Sequence, residues 1–218
     1  MNNHEIEKAN EFCAHLKKAM DDLLDSIGPI SISNKKQMPF GWRKAAKGRT
    51  VWRLVEEIVS QNLEVKSKEI SLLEFEPAPT EVGVYDFKYK SECGNDVYVN
   101  IKSAVKGGRT NKDDISKAIP LYDFVKANSP CFLMVATIEL NFVEKEHLGI
   151  EFANSYVMPT LWLPDLYVNP SNNGNLQSSK YKSLETAVPR DTDTFMSAMA
   201  EQIEIAKQKK EAKRKAAK

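Results

Sequence analysis

Apolar residues recur at helical spacing over residues 4–27, where Ile6, Phe12, Cys13, Leu16, Met20, Leu23, Leu24 and Ile27 alternate with Glu, Lys and Asp. The pattern predicts an amphipathic helix, stopped by Gly28-Pro29. A second stripe, Trp52, Val55, Ile58, Val59 and Leu63, predicts a helix over 50–63 with Glu56 at its margin and Glu57 turned nearly away. Residues 70–76 read as a strand, broken by Pro77-Ala78-Pro79. Residues 84–102 alternate with period two and predict a hairpin turning at Gly94-Asn95. In it Tyr85, Phe87 and Tyr89 share one face, and Val84, Asp86 and Lys88 the other. On the second strand Val97, Val99 and Ile101 point one way, and Tyr98, Asn100 and Lys102 the other. A hairpin centred on Gly94 sets Asp86 opposite Lys102, with Cβ atoms about 4.5–5.5 Å apart.

Beyond the hairpin, residues 113–128 predict a helix capped by Asn111 or Asp113, burying Ile115, Ile119, Tyr122 and Val125 and carrying Pro120 near its first turns. Residues 131–142 open as a continuous apolar run, the mark of a strand buried on both faces at the centre of a sheet. Residues 156–168 are strand-like but interrupted by Pro159 and Pro164, and 169–183 read as a loop rich in Asn, Ser and Lys. A last helix starts near Asp191 or Thr192, with Phe195, Met199 and Ile203 on one side. Strand, hairpin, helix and central strand define an α/β fold: a mixed central sheet with a ββαβ core, flanked by helices.

At 218 residues, with 42% hydrophobic composition, the chain suits a single domain over 1–218. It divides into an N-terminal helix (4–27), a core (50–140) and a C-terminal helix with a basic tail (191–218). The three cysteines are odd in number and widely spaced, which excludes a disulfide framework and a structural zinc pattern. His4, His15 and His147 are scattered without ligand-like neighbours. No signal peptide pattern opens the chain, and no apolar stretch approaches the roughly 18 residues of a membrane span, so the expectation is a cytoplasmic protein.

The net charge of +1 carries no global argument for nucleic acid, so any such argument rests on local clustering. From Ile27 to Val55 there is no acidic residue, while Lys35, Lys36, Arg43, Lys44, Lys47, Arg49 and Arg53 fall in the same largely irregular interval. Such a segment is either a solvated basic loop or a phosphate contact that releases counterions. Its glycine and lysine spacing does not match a P-loop. The amides of 169–183 are the type that read adenine edges, or simply a polar loop. The cations from Lys207 to Lys218 suit a helix C-terminus, with a phosphate contact as the alternative.

Asp86, Asn100 and Lys102 on one side of one hairpin form either a solvated cross-strand ion pair, worth about 0–1 kcal/mol, or a seat for a metal and an activated water. An acid on one strand, then a polar residue-x-Lys on the next, then a helix and a buried strand, resembles the PD-(D/E)XK nuclease superfamily. Its type II restriction endonucleases are the nearest in size. The resemblance covers about residues 50–140: Asp86, then Asn100-Ile101-Lys102, with Glu56 standing for the glutamate many members carry on the helix before the sheet. It implies a restriction-endonuclease-like fold and Mg²⁺-dependent hydrolysis of double-stranded DNA, leaving 5′-phosphate and 3′-hydroxyl ends. Asp86, the Ile101 carbonyl and Asn100 would hold the metal, and Lys102 would orient the water. Two-fold cutting implies a homodimer. DNA contacts would come from Lys35, Lys36, Arg43, Lys44, Lys47 and Arg49, and from Lys106, Arg109, Asn111 and Asn173. Asn100 departs from the superfamily, for it stands where the second acid belongs and brings no charge; Glu56, Asp113 and Asp114, in that order, are the acids available to compensate. A structure-directed repair nuclease of the same core, a catalytically silent DNA-binding module and an α/β interaction domain are the other readings.

Overall fold

The apolar run that begins at Cys131 does lie at the centre of the protein. The computed structural model describes residues 2–43, 47–80, 83–108, 112–172 and 174–216, the side chains of 47–50 and 216 excepted. The elements run α1 (Asn3–Ile27), β1 (Ile30–Asn34), α2 (Lys47–Lys66), β2 (Leu73–Pro77), β3 (Phe87–Lys90), β4 (Asp96–Val105) and β5 (Asp113–Lys117). They continue with α3 (Ala118–Ala127), β6 (Phe132–Glu144), β7 (His147–Pro159), β8 (Tyr167–Asn169), β9 (Asn175–Ser178) and α4 (Thr192–Ala216). The fold is mixed α/β. Six strands form one sheet in the order β1-β7-β6-β4-β3-β2, and β5, β9 and β8 form a second. In the larger sheet β6 runs parallel to β4 and antiparallel to β7, and every residue from Phe132 to Leu140 is buried.

Helices cover both faces of that sheet. On α1, Phe12 meets Phe132 edge-on at 4.9 Å, His15 meets Tyr89 at 5.9 Å, and the Cys13 thiol donates to the Val157 carbonyl at 3.3 Å. These contacts assign α1 to the face carrying Phe87, Tyr89, Val97, Val99 and Ile101, all buried as the alternation predicts. α2 packs against α1, β4 and β2, with Val51, Val55, Val59 and Leu63 buried. On the opposite face Tyr98 meets Phe124 of α3 at 4.9 Å and its hydroxyl donates to Asn128 Oδ1 at 3.1 Å. α4 lies on α3 and β8. Its start is pinned to α1 and to the entry of β6: Glu5 accepts the Thr192 N–H at 2.8 Å, and the Thr192 hydroxyl accepts the Cys131 N–H at 3.1 Å. Asp191 caps the helix by accepting the Thr194 N–H at 2.9 Å.

Four expectations are corrected. The hairpin pairs Phe87 with Val99 and Lys90 with Asp96, so its axis passes through residue 93, and the ladder ends with the Asp86 N–H on the Val99 carbonyl rather than opposite Lys102. The reason is local: Gly94, at φ +77°, closes a turn in which its N–H donates to the Ser91 carbonyl, and the Ser91 N–H donates to Asn95, which shifts the centre of the loop toward the N-terminal strand. The helix expected over 113–128 begins only at Ala118; Asp113–Lys117 is an extended strand held by β9, which also converts part of the 169–183 loop into a strand. Within α3, Ile119 is 55% exposed, and Ala118 and Leu121 take the buried positions beside Val125. Finally, β7 starts at His147, before the expected 156, and β1 pairs with it. There Gly149 allows a close approach, since a Cβ would lie 2.4 Å from the Ile30 carbonyl oxygen.

The three cysteines are free; Cys13 and Cys131 are buried and Cys93 is exposed on the hairpin turn. Burial pushes the Cys13 thiol up to about 11 and Cys131 up to about 12. Thiolate is the reactive form, so a neutral-pH titration with a thiol reagent should modify one cysteine per folded chain and three after denaturation. Two or more fast-reacting thiols in the native protein would contradict this packing.

Candidate active site

The polar face of the β3–β4 hairpin becomes a site because Asp86 is held at three points. Its N–H donates to the Val99 carbonyl at 2.8 Å, its carbonyl accepts the Ala78 N–H at 2.8 Å, and its Oδ2 accepts the Ile101 N–H at 2.5 Å. The last bond lies where β3 has ended and β4 continues, so the carboxylate takes up a backbone donor next to Lys102. The register difference therefore does not separate the two residues. Asp86 and Lys102 interact electrostatically, and Glu56, from the margin of the α2 stripe, interacts with both. Three residues 46 positions apart at most in sequence thus feel one another's charge, Glu56 from α2, Lys102 from β4 and Asp86 from the residue ahead of β3.

The charges of this group are poorly compensated. Surrounding protein lifts the Asp86 pKa from its ordinary value, although the residue as a whole is exposed; the Ile101 N–H and the Lys102 ammonium oppose the shift. Glu56 is raised as well, first by burial and then by the Asp86 charge, against Lys102 and Arg53. Two neighbouring carboxyls whose ionised forms are both disfavoured suit a hard divalent cation with oxygen ligands. The available donors are Asp86, Glu56, the Ile101 carbonyl and the Oδ1 of Asn100. Among the described residues no three His, Cys, Asp or Glu side chains converge on one point. Asn100 is 8% exposed, and its Nδ2 donates to the Val84 and Ile115 carbonyls at 3.2 Å each. It therefore braces the segment before β3 against β5, which leaves only its oxygen for a cation.

Beside this group a cleft of about 510 Å³ opens between α2, the C-terminal part of β4 and β5. Trp52, Glu56, Lys102, Asp113, Asp114 and Tyr181 line it, and Asp86 is not on its wall. Tyr181 is buried and its hydroxyl donates to Asp113, and burial together with that bond pushes its pKa up and keeps it a donor. Asp114 accepts from Asn172, Asn175 and Gln177. Both acids are engaged on the second sheet, so Glu56 is the carboxylate that joins Asp86. Tyr181 was not foreseen: it sits in a polar stretch with no periodicity to mark it.

The expected phosphate contacts are dispersed. Lys35 pairs with Glu144 at 3.1 Å, Lys36 and Lys106 are exposed, and Arg43 lies 5.3 Å over the ring of Phe40. Arg53 lies 4.4 Å over Trp52, at the rim of the cleft. Lys47 and Arg49 fall in the opening turn of α2. Lys44, Arg109, Asn111 and Asn173 lie outside the described residues. β1 and the start of α2 occupy much of the 27–55 interval expected to be irregular. Against known proteins, the chain matches no family model and no curated protein.

The raised carboxyls have a stability consequence of definite sign. A carboxyl with a higher pKa in the folded state binds its proton more tightly there, so between the ordinary and the raised value stability falls as pH rises. Glu56→Gln removes one of the two repelling charges. At pH 7 without divalent ions it should raise the midpoint of thermal unfolding, and it should shrink the upward shift produced by adding MgCl₂. A variant with a lower midpoint, or an undiminished magnesium shift, would show that Glu56 does not share its charge environment with Asp86.

Proposed function

We propose that this chain is a Mg²⁺-dependent endonuclease of the PD-(D/E)XK type, resembling the type II restriction enzymes and acting on double-stranded DNA. The observation that supports the reading is the electrostatic coupling of Asp86 to Lys102 and of Glu56 to both, with Glu56 and Lys102 on the wall of a cleft. Glu56, Asp86 and Lys102 are borne by α2, the residue ahead of β3, and β4, in a sheet where β4 then crosses over through α3 to the parallel strand β6. An order of helix, antiparallel strands, helix and parallel strand, with β5 inserted ahead of α3, supports the reading.

In this reading Asp86, Glu56, the Ile101 carbonyl and Asn100 Oδ1 would hold the cation, the last two as neutral donors. When bound, Mg²⁺ supplies Lewis acidity at the scissile phosphate. Lys102, on the cleft wall, donates to the attacking water, holds it in line with the P–O3′ bond, and lowers the cost of losing its proton. The same ammonium steadies the charge that grows on the phosphate oxygens. Water oxygen bonds to phosphorus as its proton passes to bulk water, the P–O3′ bond breaks, and the departing O3′ takes a proton from solvent, so the products carry 5′-phosphate and 3′-hydroxyl. The Ile101 N–H keeps the Asp86 carboxylate from rotating away from the site. A cut through both strands uses two such sites, so the acting species is a homodimer.

One observation favours a second reading, a DNA-binding module that does not cut. Asn100 brings no charge and its amide nitrogen is committed to two backbone carbonyls, so the acidic side of the site rests on two carboxylates.

Incubating supercoiled plasmid with the protein, with and without MgCl₂, tests both. Discrete fragments that appear only with magnesium support the endonuclease; cutting confined to branched DNA supports a structure-directed nuclease; a mobility shift without cleavage supports the silent module. Lys102→Ala should lower the cleavage rate by about 10²–10³-fold while DNA binding and the unfolding midpoint persist. Cleavage at the wild-type rate in this variant would reject the role given to Lys102.

A further inference from the structure

Thr137, on the central strand β6, carries a hydroxyl with nothing to bond to. The residue is fully buried, and among the described residues its Oγ1 meets no hydrogen-bond partner. From Phe132 to Leu140 the other residues of the strand are apolar except Glu139, whose carboxylate accepts the Tyr156 hydroxyl at 3.3 Å. Valine has nearly the shape of threonine and would fill the same space with no polar atom to strip of water. The hydroxyl therefore costs stability that packing does not offset. A buried orphan of this kind is explained by what comes to it in another state of the protein.

Beside it stands Lys102. In-register parallel pairing sets Thr137 next to Lys102 on β4, and antiparallel pairing sets it next to Tyr156 on β7. Residues paired in this way point to one face of the sheet, on strands about 4.8 Å apart. The Tyr156 hydroxyl is already committed to Glu139. The Lys102 ammonium is not committed: it feels Asp86 and Glu56 through space, yet among the described residues no ion pair or hydrogen bond holds it. An ammonium offers three N–H donors and no acceptor, whereas a hydroxyl oxygen has two lone pairs. The four-carbon stem of lysine has enough staggered rotamers to turn Nζ over the adjacent strand. Two unpaired groups of complementary chemistry thus lie side by side. The charges say when they join. With the site empty, two carboxyls attract the ammonium; with a divalent cation on them that attraction is gone and the ammonium is repelled. The acceptor next to it in the sheet is then Thr137.

We infer that Thr137 is a positioning residue: its Oγ1 accepts one N–H of Lys102 when Asp86 and Glu56 hold a divalent cation, and this fixes the direction of the two N–H groups left for the attacking water and the phosphate oxygen. The inference rests on the endonuclease reading and deepens it, by tying the group that orients the water to the most buried strand of the sheet. A free lysine stem samples many rotamers, and one held at its tip keeps the alignment that in-line attack needs.

Thermal unfolding of Thr137→Val, Lys102→Met and the double variant, with and without MgCl₂, tests the contact apart from any activity. Without divalent ions Thr137→Val should raise the unfolding midpoint by about 2–4 °C, because the orphan hydroxyl is gone. In MgCl₂ that gain should vanish, since the wild type then has a bond that valine cannot make. In the Lys102→Met background the gain should be the same with and without MgCl₂. Cleavage of plasmid DNA in MgCl₂ tests the consequence. Thr137→Val should lower kcat about 10-fold and keep KM within about 3-fold, and Thr137→Ser, which retains the hydroxyl, should restore kcat to within about 3-fold of wild type. A gain from Thr137→Val that magnesium leaves unchanged overturns the inference, as does a wild-type kcat in that variant or a loss that serine does not rescue; each of these leaves the endonuclease standing. A wild-type protein that does not cut DNA removes the endonuclease reading, and the unfolding series alone then upholds or overturns the Thr137–Lys102 contact.

Discussion

The hydrogen bond from the Ile101 amide to the Asp86 carboxylate is the constraint on which the candidate site depends. β3 ends its ladder at Phe87, and without a further tie the residue before it would be free to follow the segment that leads back to β2. Instead the backbone of Asp86 is bonded to Val99 on one side and Ala78 on the other, and its side chain is bonded to β4. A carboxylate fixed by backbone donors cannot be displaced without leaving an amide unpaired, a cost of about 1–3 kcal/mol. The same bond brings the anion beside Lys102, so one contact shapes both the end of the hairpin and the electrostatics of the cleft.

The rest of the architecture supports β4 from both edges. In-register parallel pairing with β6, from Val97–Phe132 to Val105–Leu140, makes β4 an interior strand, and interior strands slip least because any shift exposes a buried row. α1 closes one face through Phe12, Cys13 and His15, and α3 closes the other through Phe124. The buried Glu5–Thr192–Cys131 network then links the two ends of the chain to the entry of β6. Lys102 is therefore carried by a rigid element, while Asp113, Asp114 and the amides facing them sit on a smaller sheet of three short strands.

Much of this was legible along the chain. The helical stripes of α1 and α2, the stop at Gly28-Pro29, the period-two alternation of β3 and β4 and the apolar run of β6 each announce an element through local burial, and each element is present. Asp86 and Lys102 could be paired because a hairpin turning near Gly94 assigns them to one face, which the observed shift of two positions preserves and a shift of one would have reversed. Glu56 could be nominated because a helical angle places it at the edge of a buried stripe. Part of β7 was legible too: Leu148, Ile150 and Phe152 alternate, a signal that points to a strand ahead of residue 156.

What sequence could not supply was decided by contacts between distant segments. The turn geometry at Gly94, set by hydrogen bonds of Ser91 and Asn95, moved the hairpin axis to residue 93 and bonded the Asp86 backbone to Val99 instead of setting it opposite Lys102. Asp113–Lys117 carries a single buried residue, Ile115, and is extended only because β9 lies beside it, more than fifty residues away in the chain. The chain by itself determined which faces are apolar, and so where helices and central strands must form, because burial of apolar surface acts residue by residue. Only the tertiary structure decided which polar side chains meet, because a hydrogen bond or ion pair depends on the position of both partners.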